Sequence, residues 1–367
     1  MNILLYYQNP SHTVFLESLV ESFVKRGHTV HFLTTCDEGI LHQKMRELGA
    51  ITHTHVIKRK RILYLVGQAL YLIRFCRKNK INAVVSHLQM ANLIALLAQY
   101  FIKARVFPCR HHSVDVVLRG NKNAIRLDKW VNRLSKKIIV VSNAVKTQMV
   151  NHENINPNKV VVIPLGYNFS LYDKPEETVV NQIKEKLKVN MVLILVGRMT
   201  INKRHMVALE AFKELVDMGL DVGIIIMDDG PEMPAIRNYI VENKLSDRTL
   251  FTGFIDNTIN HMAAADLLIQ PSMSEASNQV VKEAAMLSIP SVVCNGVGDF
   301  DEYVVNEVNG FTVNIDQAAK GIVDVVKKYY SRKEELKNIG AKARIEVLRK
   351  FDINEVGPKY LQLMENK

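Results

Sequence analysis

Short apolar runs alternate with amphipathic stretches from one end of the chain to the other, the pattern of parallel strands covered by helices. In the first half, the runs over residues 3–7, 29–33, 83–86, 137–141 and 160–163 predict strands, and 14–26 predicts a helix that Gly27 ends. Over 62–76, the helical spacing of Ile62, Val66, Ala69, Ile73 and Cys76 predicts a stripe turned to the core, with Leu63, Tyr64 and Tyr71 off it beside Arg and Lys. The polar, acidic stretch beginning at Asp173 has no periodicity and reads as a linker. The pattern then restarts. Residues 191–196 form a continuous apolar run broken by Gly197, 203–218 predicts a helix and 222–227 a strand. Asp228-Asp229-Gly230-Pro231 reads as a turn with Pro231 opening a helix. Runs over 249–252, 266–270 and 291–294 continue the series, and a further helix is expected to begin near Asn278.

A strand–helix series that begins twice predicts an α/β protein of two doubly wound domains facing across a cleft, where a ligand would sit. The expected division is 1–170 and 171–345, with a C-terminal helix over 346–367 packing back toward the first domain. A length of 367 residues suits two domains, and 48% hydrophobic with 23% charged residues is a folded composition.

Four scattered cysteines, Cys36, Cys76, Cys109 and Cys294, include no Cys-x-x-Cys pair, which suits a reducing compartment and neither a disulfide framework nor zinc. The chain opens on a strand-like run without the pattern of a signal peptide, and its most apolar window, 83–102, is broken by His87, Gln89, Asn92 and Gln99. A cytoplasmic protein is expected. The net charge of +11 concentrates at Lys58-Arg59-Lys60-Arg61 with Arg74, Arg77, Lys78 and Lys80, and again from Lys327 to Lys350. The second run reads as a solvated helical face. The first, with its neighbouring aromatic residues, suits an anionic membrane surface. No element interleaves aromatic and basic residues as a nucleic-acid platform does, so no nucleic-acid partner is expected.

The first strand-to-helix turn, Gln8-Asn9-Pro10-Ser11-His12, has no glycine, which disfavours a dinucleotide cofactor because its pyrophosphate needs close backbone approach. Gly197-Arg198-Met-Thr-Ile-Asn-Lys203 lacks the Gly before and the Ser/Thr after its lysine that a Walker A loop requires. Following a buried strand, it does bring two cations to the carboxyl edge of a sheet, and two cations there suit a diphosphate. Downstream, Glu275 lies in a loop and Glu283 within the first two turns of the helix expected near Asn278. The start of that helix offers free N–H groups for a phosphate. Glu275 would reach a sugar ring and Glu283 a ribose.

These segments together resemble glycosyltransferase family 4, retaining enzymes of the GT-B fold. The resemblance is carried in order by Arg26-Gly27-His28-Thr29-Val30, Val141-Ser142, Pro164-Leu165-Gly166-Tyr167-Asn168, Gly197-Arg198 with Lys203, Asp229-Gly230-Pro231, Phe251-Thr252-Gly253-Phe254, the Glu275/Glu283 pair, Val297-Gly298 to Glu302, and Asn309-Gly310-Phe311. It implies a retaining, metal-independent transfer of sugar from a nucleoside-diphosphate sugar to a saccharide or lipid-linked acceptor, in surface polysaccharide or glycolipid biosynthesis. Arg198 and Lys203 would clamp the diphosphate, Glu283 hold the ribose and Glu275 the transferred sugar. Gly197, Ser277 and the backbone of Asn278, Gln279 and Val280 would line the donor, with Phe254 and Ile255 against the base. In the first domain the resemblance points to an active-site histidine in Arg110-His111-His112-Ser113, with His111 favoured over His112. Pro10-Ser11-His12 stands where the family often has two glycines, and Ala276-Ser277-Asn278 replaces a Gly-Phe-Gly-like stretch. No cofactor is expected beyond the donor substrate, and Asp299-Phe300-Asp301 reads as structural. A peripheral position on the inner face of a membrane belongs to this expectation. A non-catalytic sugar-nucleotide-binding subunit, or an epimerase of the same architecture, remains an alternative.

Overall fold

The computed structural model describes residues 1–9, 13–58, 62–114, 120–255 and 257–366. The chain divides into two units, Met1–Tyr172 with Phe351–Lys367, and Asp173–Lys350.

The first unit is built on β1 (Asn2–Tyr7), β2 (Thr29–Thr34), β3 (Ile51–Thr54), β4 (Ala83–His87), β5 (Arg105–Arg110), β6 (Ile138–Val140) and β7 (Val160–Val162), in spatial order β3-β2-β1-β4-β5-β6-β7. All pairings are parallel, with Leu4 of β1 opposite both His31 and Val84. Ile3 to Tyr6 are buried along their whole length, because helices cover both faces of a parallel sheet, and this is why β1 reads as a continuous apolar run. The helix Val14–Lys25 packs against Ile353–Glu365, with the Phe23 and Tyr360 rings 6.4 Å apart. On the opposite face, the helices Ile62–Lys78, Gln89–Ala98 and Lys122–Leu134 lie side by side over a core of Leu72, Phe75, Leu93, Ile94 and Val131.

The second unit contains β8 (Met191–Val196), β9 (Val222–Met227), β10 (Thr249–Gly253), β11 (Leu267–Gln270), β12 (Ser291–Cys294) and β13 (Phe311–Val313), ordered β10-β9-β8-β11-β12-β13. The order reverses between β8 and β11, so the loops leaving these two strands diverge and open a crevice at their carboxyl ends.

Three strands escape the sequence pattern. β3, Ile-Thr-His-Thr, is a half-exposed edge with a single apolar residue. β5 contains Pro108, which argues against a strand, and β13 has only three residues. Two expectations are corrected. Pro231 lies in the turn, and Pro234 is the proline in the first turn of the helix Met233–Glu242. The stripe expected to face the core from 62–76 does so only over its second half: Ala69, Ile73 and Cys76 pack on the core with buried Gln68, Leu72 and Phe75, while Ile62 and Val66 are exposed. The helix is apolar around most of its circumference near its start, so periodicity alone cannot choose its inner side.

Candidate active site

The loop leaving β8 runs from Gly197 to Arg204. Arg198 is exposed and makes no ion pair among the described residues, while Met199 is fully buried and anchors the loop. Met199 N donates to Asp229 O at 2.7 Å, and Glu232 N donates back to Met199 O at 3.1 Å. Gly230 makes this approach feasible: a Cβ there would fall 2.4 Å from Met199 O, at φ +154°. Residues Ile201–Lys203 form one tight 3-10 turn, and the left-handed Arg204 (φ +56°) starts the helix His205–Asp217. That turn aims Lys203 at the second loop.

The second loop leaves β11 and ends at the helix Gln279–Met286. Its Glu275 Oε1 accepts from Lys203 Nζ at 2.6 Å and from Asn278 Nδ2 at 2.9 Å. Asn278 caps the helix by accepting from Val281 N at 3.0 Å. Lys203, Glu275 and the start of this helix therefore form one hydrogen-bonded cluster at the crevice where the strand order reverses. The loop is seated from below by a buried ion pair that sequence reasoning missed. Lys282 Nζ donates to Asp299 Oδ2 at 2.7 Å, with side chains 1% and 2% exposed. Asp299 also accepts from Ser277 Oγ at 2.7 Å and from Asn278 N at 3.2 Å. Of the backbone groups expected to meet a ligand, the amide of Asn278 thus already has a protein partner. A signal existed: Lys282 sits among Val281, Ala284 and Ala285, the buried face of its helix. Asp301 accepts from Gly296 N at 2.8 Å, so both carboxylates of 299–301 brace loops.

Glu283 is half-buried on the same helix and accepts from Gln279 Nε2 at 2.6 Å. Burial pushes its carboxyl up to about 7, against the opposing effects of Gln279 and the Lys282 charge. Phe254 is exposed and Ile255 half-buried just beyond β10. His205, buried behind the first loop with Nδ1 unpartnered, is held down to about 4 by burial and then by the Lys203 charge, with a backbone hydrogen bond to Gly197 opposing.

In the first unit, His111 and His112 follow β5 and do different things. A hydrogen bond of 2.8 Å joins His111 Nε2 to His87 Nδ1, at the end of β4. Phe15 lies edge-on to both rings. Burial, and secondarily the charge of His112, lowers His111 to about 4, and burial holds His87 well below the usual imidazole range. His112 Nε2 is 2.8 Å from Asp128 Oδ2, while Gln89 Nε2 donates to Asp128 Oδ1 at 2.8 Å. Burial works to raise Asp128, but the hydrogen bond and charge of His112 outweigh it and hold the carboxyl low. His87 and Gln89 showed in the sequence only as polar breaks in an apolar window, and Asp128 not at all; each lies in a different element, so nothing in the sequence joined them. Pro10, Ser11 and His12 lie outside the described residues. Among the described residues no helix is long and apolar enough to cross a membrane.

Comparison with known proteins bears on both units. A family model described as glycosyl transferases group 1 matches residues 174–346, and one described as glycosyltransferase family 4 matches 13–171. The chain is 24% identical over 360 residues to the N-acetyl-alpha-D-glucosaminyl L-malate synthase of Bacillus anthracis, spanning 93% of this chain and 90% of that protein. It is 23% identical over 347 residues to the capsular polysaccharide biosynthesis glycosyltransferase CapM of Staphylococcus aureus, spanning 90% and 88%. The crystal structure of Anabaena HepE in complex with UDP-glucose superposes with a TM-score of 0.83 at 18% identity, over 99% of each chain.

Proposed function

The chain belongs to glycosyltransferase family 4 and has the GT-B fold, and from that premise we propose a retaining, metal-independent transfer of sugar from a nucleoside-diphosphate sugar to a saccharide or lipid-linked acceptor. In this reading Arg198 and Lys203 neutralise the donor diphosphate and stabilise its departure, and the start of the helix Gln279–Met286 adds its partial positive charge. Gly197 and Ser277 line the donor pocket with the remaining amides of Gln279 and Val280. Glu283 accepts from the ribose hydroxyls, Phe254 and Ile255 flank the base, and His111 is the active-site histidine near the sugar. The leaving phosphate takes the proton of the attacking hydroxyl. The setting proposed with it is surface polysaccharide or glycolipid synthesis at the inner face of a membrane; the name of CapM, a capsular polysaccharide biosynthesis enzyme, supports its polysaccharide part.

One observation carries the reading: the 2.6 Å pair between Lys203 and Glu275, at the capped start of that helix. Without ligand the lysine charge is neutralised by the carboxylate. A diphosphate arriving there takes over Lys203 and releases Glu275 to accept from hydroxyls of the transferred sugar, so one exchange of partners arms both contacts. Thermal-shift measurements with UDP-, GDP-, ADP- and CMP-sugars test this, each in EDTA and again with added divalent cation. A fitting donor at 100 times its dissociation constant adds about 2.7 kcal/mol and is expected to do so in EDTA. Stabilisation by none of them, or only with the cation present, would count against the proposal.

A further inference from the structure

The first unit carries 26 Lys and Arg against 11 Asp and Glu, a net charge of +15, while the second carries 22 against 26, a net charge of −4. From Leu48 to Val114 there are 11 Lys and Arg and no acidic residue at all. Within this stretch the helix Ile62–Lys78 turns an unusual face outward. Ile62, Leu63, Val66 and Leu70 are 73%, 62%, 50% and 61% exposed. The same face continues into exposed Arg74, Arg77 and Lys78 over its last turns. Its length is roughly 25 Å at the helical rise per residue. The first half is thus apolar and the second cationic.

The two neighbouring helices extend that surface. Arg77 Nη2 donates to Phe101 O at 2.8 Å, tying the basic end to exposed Tyr100 and Phe101. Gln99 Nε2 donates to Leu134 O at 3.1 Å, tying the next helix to Lys122–Leu134, which exposes Trp130 with Arg126, Lys129 and Arg133. The Arg133 guanidinium sits 5.9 Å from the Trp130 ring. An apolar surface of this extent needs an occupant, and charge selects it. A second copy of the chain would set one +15 unit against another. An anionic bilayer instead accepts apolar side chains at the acyl boundary and cations among its headgroups.

We propose that the outer face of Ile62–Lys78, with Tyr100, Phe101 and Trp130 beside it, docks on an anionic lipid bilayer. This deepens the reading of a membrane-side acceptor by naming the surface that meets the lipid, but it stands on this face alone and not on the donor assignment.

Trp130 is the only tryptophan, so its fluorescence reports docking. The full chain is mixed at low salt with vesicles of phosphatidylcholine and phosphatidylglycerol in equal parts, and with phosphatidylcholine alone. Co-sedimentation and a blue shift of Trp130 emission are expected only with the anionic vesicles, weakening as salt shortens the screening length from about 10 Å at 0.1 M to about 3 Å at 1 M. The double variants Val66→Ser/Leu70→Ser and Arg74→Glu/Lys78→Glu, all at exposed positions, are expected to weaken vesicle binding at least tenfold and to keep the melting temperature and the donor-induced thermal shift. Absence of binding to anionic vesicles at low salt overturns the proposal. So does binding that both variants leave intact, or a dimer in ultracentrifugation that Val66→Ser/Leu70→Ser dissolves without any vesicle binding. A lost donor shift in unaltered chain would instead strike the donor reading and leave docking standing.

Discussion

Lys203 has one charge and two claimants. It is only partly exposed, so its attraction to Glu275 is less screened than that of a surface pair, and in the proposed function the two negative charges of a diphosphate compete with that one carboxylate. Lys203→Ala or Arg198→Ala is expected to lower turnover about 100-fold or more in a donor-hydrolysis or transfer assay; near wild-type rates in both would remove their assigned roles. Glu283 gives a pH-dependent outcome. Its folded value of about 7 lies above its ordinary 4.5, so the native state holds this proton more tightly than the unfolded chain does. The corresponding stability is complete below about 4.5 and is lost as pH rises through about 7. The melting temperature of the wild type relative to Glu283→Gln is therefore expected to fall between pH 5 and about 7.5, and a flat difference would contradict the burial of this carboxyl. His111 is expected to stay a neutral imidazole well below pH 6, given its lowering to about 4. Nitrogen-15 shifts of the ring across pH 5 to about 8 check this; a titration near the ordinary imidazole value of about 6.5 would show that the pair with His87 opens to water.

At the scale of elements, the Glu275 loop and the helix Gln279–Met286 behave as one piece because Asp299 bonds Ser277, Asn278 and Lys282 together. Removing the cation leaves a desolvated carboxylate. Lys282→Met is accordingly expected to destabilise the second unit by about 3–5 kcal/mol in denaturant melts, with Lys282→Met/Asp299→Leu recovering much of the loss. Gly298 fixes the other side of the loop. Its φ is +57°, and a Cβ would sit 2.6 Å from Glu275 Cβ and 3.2 Å from the Glu275 backbone. Gly298→Ala must displace Glu275, so it is expected to impair donor stabilisation far more than global stability. The helix Ile62–Lys78 shows where pattern reading fails at this scale. The expected stripe turns inward at Ala69, Ile73 and Cys76 but not at Ile62 and Val66, and polar Gln68 is buried with its Nε2 donating to His55 O at 2.9 Å.

Across the whole molecule, the chain leaves its first unit at Tyr172 and re-enters it at Phe351. The returning segment is integral to that unit's core. Phe351, Val356, Tyr360, Leu361 and Met364 are buried, each worth about 1.5–3 kcal/mol on burial, against a total stability of about 5–15 kcal/mol for a domain. Deleting residues 351–367 is expected to unfold the first unit, read as loss of hydrogen-exchange protection in β1, β2 and β4. Retained protection there would show that the segment is dispensable. The division of charge belongs to this scale too, since the formal +11 conceals a strongly basic unit joined to a mildly acidic one.

The sequence by itself determined the architecture, because strands buried on both faces must be continuously apolar and β1, β8 and β9 are. It also placed Gly197–Lys203 and Glu275–Glu283 at strand ends, since loop chemistry follows directly from where an apolar run stops. Only the tertiary structure decided which side chains meet. Lys203 and Glu275 are separated by 72 positions, Lys282 and Asp299 by 17, and His87 and His111 by 24, distances over which no periodicity acts. Likewise, only packing chose the inner side of Ile62–Lys78, because hydrophobicity says that a residue prefers burial and cannot say which of several apolar residues finds room.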